Sequence, residues 1–104
     1  DISQPALDKA LATIAKNLDR MLAKGSITED IKTQTLKNIS TFTSSKEGVA
    51  EAELVIEAAT ENIQVKLGIF KELDSICNPE TILASNTSSI SITKIASVTK
   101  RPDK

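Results

Sequence analysis

The chain has 104 residues and a formal net charge of −1, from 13 basic and 14 acidic side chains. This near balance argues against a nucleic-acid-binding face, which needs clustered lysine and arginine, and no apolar run approaches the roughly 20 residues that span a bilayer. Histidine is absent, which excludes a histidine base and a histidine–cysteine metal site among these residues. Cysteine occurs once, so no internal disulfide can form, which fits a reducing cytoplasm.

The first half of the chain is predicted to form two helices. Ser3 fits the N-cap of the first helix, Pro5 its first turn and Gly25 the position just past its end. The apolar residues between them recur every three or four positions, as on one helix face: Leu7, Leu11, Ile14, Leu18, Met21 and Leu22. A second helix is expected from Thr28 to about Asn38, and the alternation of Ile39 to Thr43 predicts a short strand.

The second half is predicted to alternate strands with helices. Ser44 to Gly48 are polar and small, as in a loop, and Leu54 to Ile56 form a continuous apolar run, typical of a strand in a parallel sheet. A helix is expected from Asn62 to Cys77, a strand from Thr81 to Ser85 and a short helix around Thr93 to Val98. Strands that alternate with helices predict βαβ units, and therefore an α/β fold with a mostly parallel sheet.

Six short segments of this half carry a family resemblance. They read LVIEAATEN at residues 54–62, VK at 65–66, IFKELD at 69–74, TILASNTSS at 81–89, IT at 92–93 and KRPDK at 100–104. In this order and spacing they resemble the 3-hydroxyacyl-CoA dehydrogenases, closest to the bacterial 3-hydroxybutyryl-CoA type. The resemblance covers essentially the whole chain, and it is weaker over Asp1 to Ser45 than over Glu53 to Lys104.

The resemblance implies that residues 1–104 are part of a Rossmann-type NAD-binding domain. The family's first strand and glycine-rich turn are expected upstream of Asp1. Its HFFNP segment with the catalytic histidine, and then a helical C-terminal domain, are expected after Lys104, so these residues alone should be inactive. The intact enzyme would transfer a hydride between NAD and the 3-position of a short-chain acyl-CoA. We expect it to be a cytoplasmic homo-oligomer without nucleic-acid or membrane partners.

By this resemblance, Asp1, Glu61, Lys66 and Ser88 are expected to bind the cofactor. Asp1 would follow the second strand, where a carboxylate binds the adenosine ribose and disfavours the 2′-phosphate of NADP. Glu61 and Lys66 would contact the cofactor or the bound substrate beyond the end of a strand. Each has an ordinary structural alternative. Asp1 could be an exposed aspartate at a helix start, Glu61 a glutamate stabilised by the helix dipole and Lys66 a solvated lysine.

Ser88 is expected to be the catalytic residue among these positions and to contact both the cofactor and the substrate. The resemblance implies that the Ser88 hydroxyl makes a hydrogen bond near the reacting oxygen of the substrate and the nicotinamide. A hydroxyl can both donate and accept a hydrogen bond, which suits a carbonyl that becomes an alcohol. Ser88 has no base beside it in the sequence, so we do not interpret it as a nucleophile. The structural alternative is a serine that serves only as a turn or cap residue.

Asn17 and Lys24 are expected to bind the CoA portion of the substrate. They lie seven residues apart on the first helix, two turns along one face. A lysine ammonium suits CoA phosphates, while the alternative is a solvated helix face. Cys77 is interpreted as a small buried apolar residue.

Two other functions stay open from the sequence. The chain could be a nucleotide-binding or structural relative without activity, because fold does not settle function; a missing histidine–glutamate pair in the neighbouring sequence would support this. It could also belong to a dehydrogenase of another hydroxy acid on a similar fold. Activity with acyl-CoA compared with free hydroxy acids would decide between the dehydrogenases.

Overall fold

The computed structural model describes residues 1–104, which form two compact units, Asp1–Thr43 and Ser44–Lys104. The first unit holds the helices α1 (Gln4–Ala23) and α2 (Glu29–Lys37). The second unit holds α3 (Ser45–Val49), β1 (Leu54–Glu57), α4 (Ile63–Ile76), β2 (Ile82–Ser85) and α5 (Ile92–Ala96). None of the helices is both long enough and apolar enough to cross a membrane.

The helices of the first unit begin at the residues that cap them. The Ser3 hydroxyl accepts the N–H of Ala6 at the start of α1, and the Thr28 hydroxyl accepts the N–H of Ile31 at the start of α2. Gly25 follows α1 with φ of +69°, in the left-handed region that favours glycine. The prediction of both helices and their boundaries is therefore confirmed.

Two predictions for the connecting segments were wrong. Ile39 to Thr43 do not form a strand; the first unit contains no other strand, and a strand needs a partner for its backbone N–H and C=O groups. Ser44 to Gly48 are not a loop, because α3 begins at Ser45. The Ser45 hydroxyl donates to the Glu72 carboxylate of α4, a contact distant in sequence that the polar composition of this segment does not reveal.

The second unit is a βαβ arrangement. β1 and β2 form a two-stranded parallel sheet, with Leu54 opposite Ile82 and Glu57 opposite Ser85, and α4 connects them. The buried apolar side chains come mainly from the helices: Phe70, Leu73, Cys77 and Ile95. The α/β class with a parallel sheet is therefore confirmed.

Arg101 attaches the end of the second unit to the end of α4. Its guanidinium donates to Asp74 Oδ1 at 2.8 Å and to the carbonyls of Asp74, Cys77 and Asn78. The Lys100 N–H donates to the other Asp74 oxygen at 2.9 Å. Burial would raise the pKa of Asp74, but these bonds outweigh burial and lower it. One carbonyl in the last turn of α4, that of Asp74, and those of the two residues that follow the helix are thus satisfied by a distant side chain.

Gly25 and Gly68 are expected to respond to alanine in opposite directions. An added Cβ would meet no atom within 4 Å at either position, so only the backbone decides. Gly25→Ala would place alanine in the left-handed region and should lower the free energy of unfolding by about 1 kcal/mol. Gly68 lies inside α4, and Gly68→Ala should raise it by roughly 0.5–1 kcal/mol. Urea denaturation of both variants checks this; a stabilised Gly25→Ala would contradict the left-handed turn.

Candidate functional site

The carboxyl ends of β1 and β2 lie side by side. In the parallel pairing, Glu57 stands opposite Ser85 at the last position of each strand. The turns that follow, residues 58–62 and 86–91, therefore leave the sheet at the same edge. This is the edge at which open α/β sheets bind ligands.

A buried carboxylate, Glu57, connects the two strand ends. One of its oxygens, Oε2, accepts hydrogen bonds from the Lys66 ammonium and from the Ser85 hydroxyl, the latter at 2.7 Å. The other, Oε1, accepts the backbone N–H of Ala59 at 2.7 Å and of Thr60 at 3.4 Å. Lys66 also donates to Ser85 Oγ at 3.2 Å. One carboxylate thus holds the end of β1, the end of β2 and the first turn of α4 together.

The charges of this cluster depend on each other. Burial would raise the pKa of Glu57 because desolvation disfavours the charged form, but hydrogen bonds from Lys66, Ser85 and the Ala59 N–H outweigh it and lower that pKa to about 2. The Lys66 side chain is 0% exposed and that of Glu57 is 3% exposed. Removing either partner would leave a buried charge unpaired, which is far more costly than removing both.

A second carboxylate, Glu61, bonds the turn after β2. Its side chain is 56% exposed, and its Oε2 accepts the hydroxyls of Thr87 at 2.9 Å and Ser89 at 2.6 Å. These bonds, from Ser89 first and then Thr87, lower the pKa of Glu61, so it is charged at neutral pH. Its Oε1 lies 3.9 Å from the Lys66 ammonium. The buried and the exposed carboxylates therefore share one cation.

Ser88 lies between the two residues that bond to Glu61, and it is exposed. The side-chain hydrogen bonds of this turn are made by Ser85, Thr87 and Ser89, and none is made by the Ser88 hydroxyl. A serine that served only as a cap would bond a neighbouring backbone group. The Ser88 hydroxyl makes no such bond within the chain, and its role toward a ligand stays a prediction.

Three predicted site residues, Glu61, Lys66 and Ser88, are brought together at this edge. Lys66 differs from the other two, because its ammonium is buried against Glu57 and Ser85. In this arrangement its charge acts on Glu57 directly and on Glu61 across 3.9 Å. A direct contact of Lys66 with a ligand stays a prediction.

The other three predicted residues, Asp1, Asn17 and Lys24, belong to the first unit. Asp1 is exposed, and one of its carboxylate oxygens accepts the N–H of Ser3 at 2.9 Å. Asn17 lies exposed on α1, and Lys24 is the exposed C-cap residue of that helix. All three are accessible to ligands, and their roles stay predictions.

Glu57 and Ser85 were not among the predicted site residues. Both stand inside segments that carry the family resemblance, and each ends a strand. The available signal was a carboxylate at the end of an apolar run, which burial would penalise unless a cation were placed near it. Lys66, nine residues further on, is that cation.

A cavity of about 350 Å³ lies in the second unit beside this cluster. Its lining includes Ser85, whose hydroxyl bonds Glu57, together with Phe70, Leu83, Ile95 and Arg101, but neither Glu61 nor Ser88. The predicted site residues Glu61 and Ser88 therefore lie at the open polar edge and do not line this cavity. No group of three or more histidine, cysteine or acidic side chains is placed to hold a metal ion.

Comparison with known proteins gives a consistent set of matches. Residues 1–104 match the family described as 3-hydroxyacyl-CoA dehydrogenase, NAD binding domain. The 3-hydroxybutyryl-CoA dehydrogenase of Clostridioides difficile is 46% identical over 102 residues, which are 98% of this chain and 36% of that protein. The chain thus spans about a third of the length of this curated relative.

Two solved structures of enzymes with that name also resemble the chain. The Escherichia coli K12 structure has a TM-score of 0.94 at 42% identity, over 98% of this chain and 21% of that one. The Ralstonia eutropha structure has a TM-score of 0.92 at 48% identity, over 99% of this chain and 36% of that one. The chain is therefore similar to these two structures in sequence as well as in fold.

The stability of the protein is expected to fall in acid through Glu57. Its pKa is about 2 in the folded chain against 4.5 for an ordinary glutamate, so the unfolded chain is protonated first as the pH falls. The stabilisation is present above pH 4.5 and is lost progressively toward pH 2. Glu57→Gln should lower the free energy of unfolding by about 3–5 kcal/mol at neutral pH, and urea curves should show this difference shrinking in acid.

The matched control for this measurement is Glu51→Gln. Glu51 is exposed, so its substitution should leave the unfolding free energy close to that of the wild type at every pH. A difference between wild type and Glu57→Gln that stays constant from about pH 6 to pH 3 would show that the Glu57 carboxylate is not held charged by its partners.

Proposed function

We propose that this chain, which belongs to the family of NAD-binding domains of 3-hydroxyacyl-CoA dehydrogenases, is part of an enzyme that transfers a hydride between NAD and the 3-position of a short-chain acyl-CoA. The observation that carries the proposal is the exposed, unbonded hydroxyl of Ser88 at the carboxyl ends of parallel strands. The names of the relatives support acetoacetyl-CoA and 3-hydroxybutyryl-CoA as the substrate pair.

The side chains present fit the cofactor. NAD, when bound, supplies the hydride acceptor or donor. The exposed carboxylate of Asp1 can accept hydrogen bonds from ribose hydroxyls, and its charge repels a 2′-phosphate. Glu61 Oε2 accepts the hydroxyls of Thr87 and Ser89, whereas Oε1 accepts no hydrogen bond within the chain. Oε1 is therefore available to a ribose hydroxyl or an amide of the cofactor.

Ser88 acts on the substrate oxygen in this proposal. That oxygen gains negative charge as a hydride reaches the carbonyl carbon, so a hydrogen bond donated by Ser88 strengthens toward the transition state. The product oxygen also needs a proton, and a serine hydroxyl is too weak an acid to supply it at neutral pH. The Glu61 carboxyl, which bonds both neighbours of Ser88, has a lowered pKa and carries no proton to give, and the chain has no histidine. We therefore place the proton donor outside residues 1–104.

The remaining assignments complete the proposal. Asn17 on α1 and Lys24 at its C-cap offer an amide and an ammonium to the CoA portion, and Lys66 lies at the cofactor site, buried against Glu57 and Ser85. Cytoplasmic location is supported by Cys77, a free and buried cysteine. Assembly into a homo-oligomer stays a prediction.

The reaction is tested with the full-length protein that carries this chain. NADH oxidation should occur with acetoacetyl-CoA and not with free acetoacetate. Ser88→Ala should lower kcat by about 10- to 100-fold rather than only raise KM, since the lost bond is strongest in the transition state. Ser75→Ala is the matched control, because its exposed hydroxyl bonds only the Glu72 carbonyl of α4.

Three results would change the proposal. No turnover with any substrate would favour a non-catalytic relative, and turnover with free acetoacetate alone would favour another hydroxy-acid dehydrogenase. Full kcat and KM in Ser88→Ala would reduce this serine to a turn residue.

Cofactor choice is a separate prediction that rests on Asp1. Asp1→Ala should narrow the preference of the full-length protein for NAD over NADP, measured as the ratio of kcat/KM values. Asp8→Ala, which removes another exposed carboxylate near the start of α1, should leave the ratio unchanged. An equal ratio in wild type and Asp1→Ala would remove Asp1 from the cofactor site.

A further inference from the structure

The turn that carries Ser88 is held from both sides by one carboxylate oxygen. Thr87 and Ser89, the two neighbours of Ser88, both donate their hydroxyl hydrogens to Glu61 Oε2, at 2.9 and 2.6 Å. Glu61 lies 26 residues before Thr87 in the chain. The contact therefore joins the turn after β1 to the turn after β2.

The same bonds orient the backbone around Ser88. Thr87 Oγ1, while donating to Glu61, accepts the N–H of Ser89 at 3.4 Å and of Ile90 at 3.2 Å. On the other side, the Thr87 N–H donates to Ser85 Oγ at 3.3 Å, within the buried Glu57 cluster. The backbone on both sides of Ser88 is thus attached, while the Ser88 hydroxyl itself is unbonded.

The exposure of Glu61 indicates why these bonds exist. At the surface, water can replace each of them, so they add little to the stability of the fold. Their convergence on a single oxygen is a geometric constraint, because it sets where the Ser88 hydroxyl stands. Such constraints matter at reacting centres, where a small displacement of a bonding group is costly in rate.

We infer that Glu61 is a positioning residue whose carboxylate, through Thr87 and Ser89, holds the turn so that Ser88 is presented to the substrate oxygen. The inference rests on the proposed function for the identity of the ligand. It assigns Glu61 a task beyond contact with the cofactor, and it makes Thr87 and Ser89 specific partners in that task.

Kinetics of the full-length protein with NADH and acetoacetyl-CoA test the inference. Glu61→Ala and the double variant Thr87→Val, Ser89→Ala should each lower kcat by about tenfold, with a smaller change in the Kd of NADH measured by its fluorescence. Combining them should cost no more than either alone, because both break the same contact. Glu61→Gln keeps an amide oxygen that can accept both hydroxyls, and its kcat should stay within about threefold of wild type.

Two kinetic outcomes would overturn the inference. Losses that multiply when Glu61→Ala is combined with the double variant would mean that Glu61 acts independently of the turn. If Glu61→Gln were as damaging as Glu61→Ala and both weakened NADH binding, the negative charge of Glu61 would act on the cofactor directly.

Hydrogen exchange of the full-length protein tests the inference without any turnover. The amides of Ser89 and Ile90 should exchange faster in Glu61→Ala and in Thr87→Val than in wild type. Glu51→Ala, which removes an exposed carboxylate far from this turn in sequence, should leave them unchanged. Unchanged exchange in Glu61→Ala would overturn the inference, whereas an inactive wild type with the expected exchange would overturn only the proposed function.

Discussion

The second unit depends on the buried ion pair of Glu57 with Lys66. Burying a charge without a partner costs several kcal/mol, and in this pair each charge is the partner of the other. Neither side chain reaches solvent to any extent, so the charges stabilise the fold only while they stay together. Glu57 ends β1 and Lys66 lies in the first turn of α4. The pair therefore defines how the helix leaves the strand, and Ser85 brings β2 into the same arrangement.

The candidate site is built outward from this pair. The Ser85 hydroxyl accepts the N–H of Thr87, and the Thr87 hydroxyl donates to the exposed carboxylate of Glu61. Buried groups thus provide the rigid support, and exposed groups keep the free bonding capacity that a ligand needs. The difference between the two carboxylates follows from their surroundings: Glu57 has every bonding position occupied by the protein, while Glu61 has one oxygen left.

Local signals in the sequence were sufficient for much of the fold. The caps at Ser3 and Thr28 act within a few residues, so their side-chain chemistry could be interpreted without a structure. The helix α3 could not, because its contact to Glu72 spans 27 residues. The prediction of a strand at Ile39 to Thr43 was wrong because alternation of apolar and polar residues indicates that a segment could have one buried face. It does not indicate whether another strand is present to pair with that segment.

The candidate site divides in the same way. Glu61, Lys66 and Ser88 were predicted from the family resemblance, but their connections were not. Glu57 and Ser85 lie 28 residues apart, and only the parallel register makes them neighbours. A similar separation hides the contact between Glu61 and the turn. Residue types indicate which groups a site contains, whereas the pairing of strands determines which of them touch.

The span of these contacts also bears on how the protein acquires its site as it folds. Helices such as α4 form from local contacts, on timescales far shorter than those needed to close a long loop and pair its strands. The Glu57–Ser85 and Glu61–Thr87 bonds need that closure. A chain with its helices formed and its strands unpaired would therefore have Ser88 unrestrained and no binding edge, so competence to bind would arise only when the strands pair.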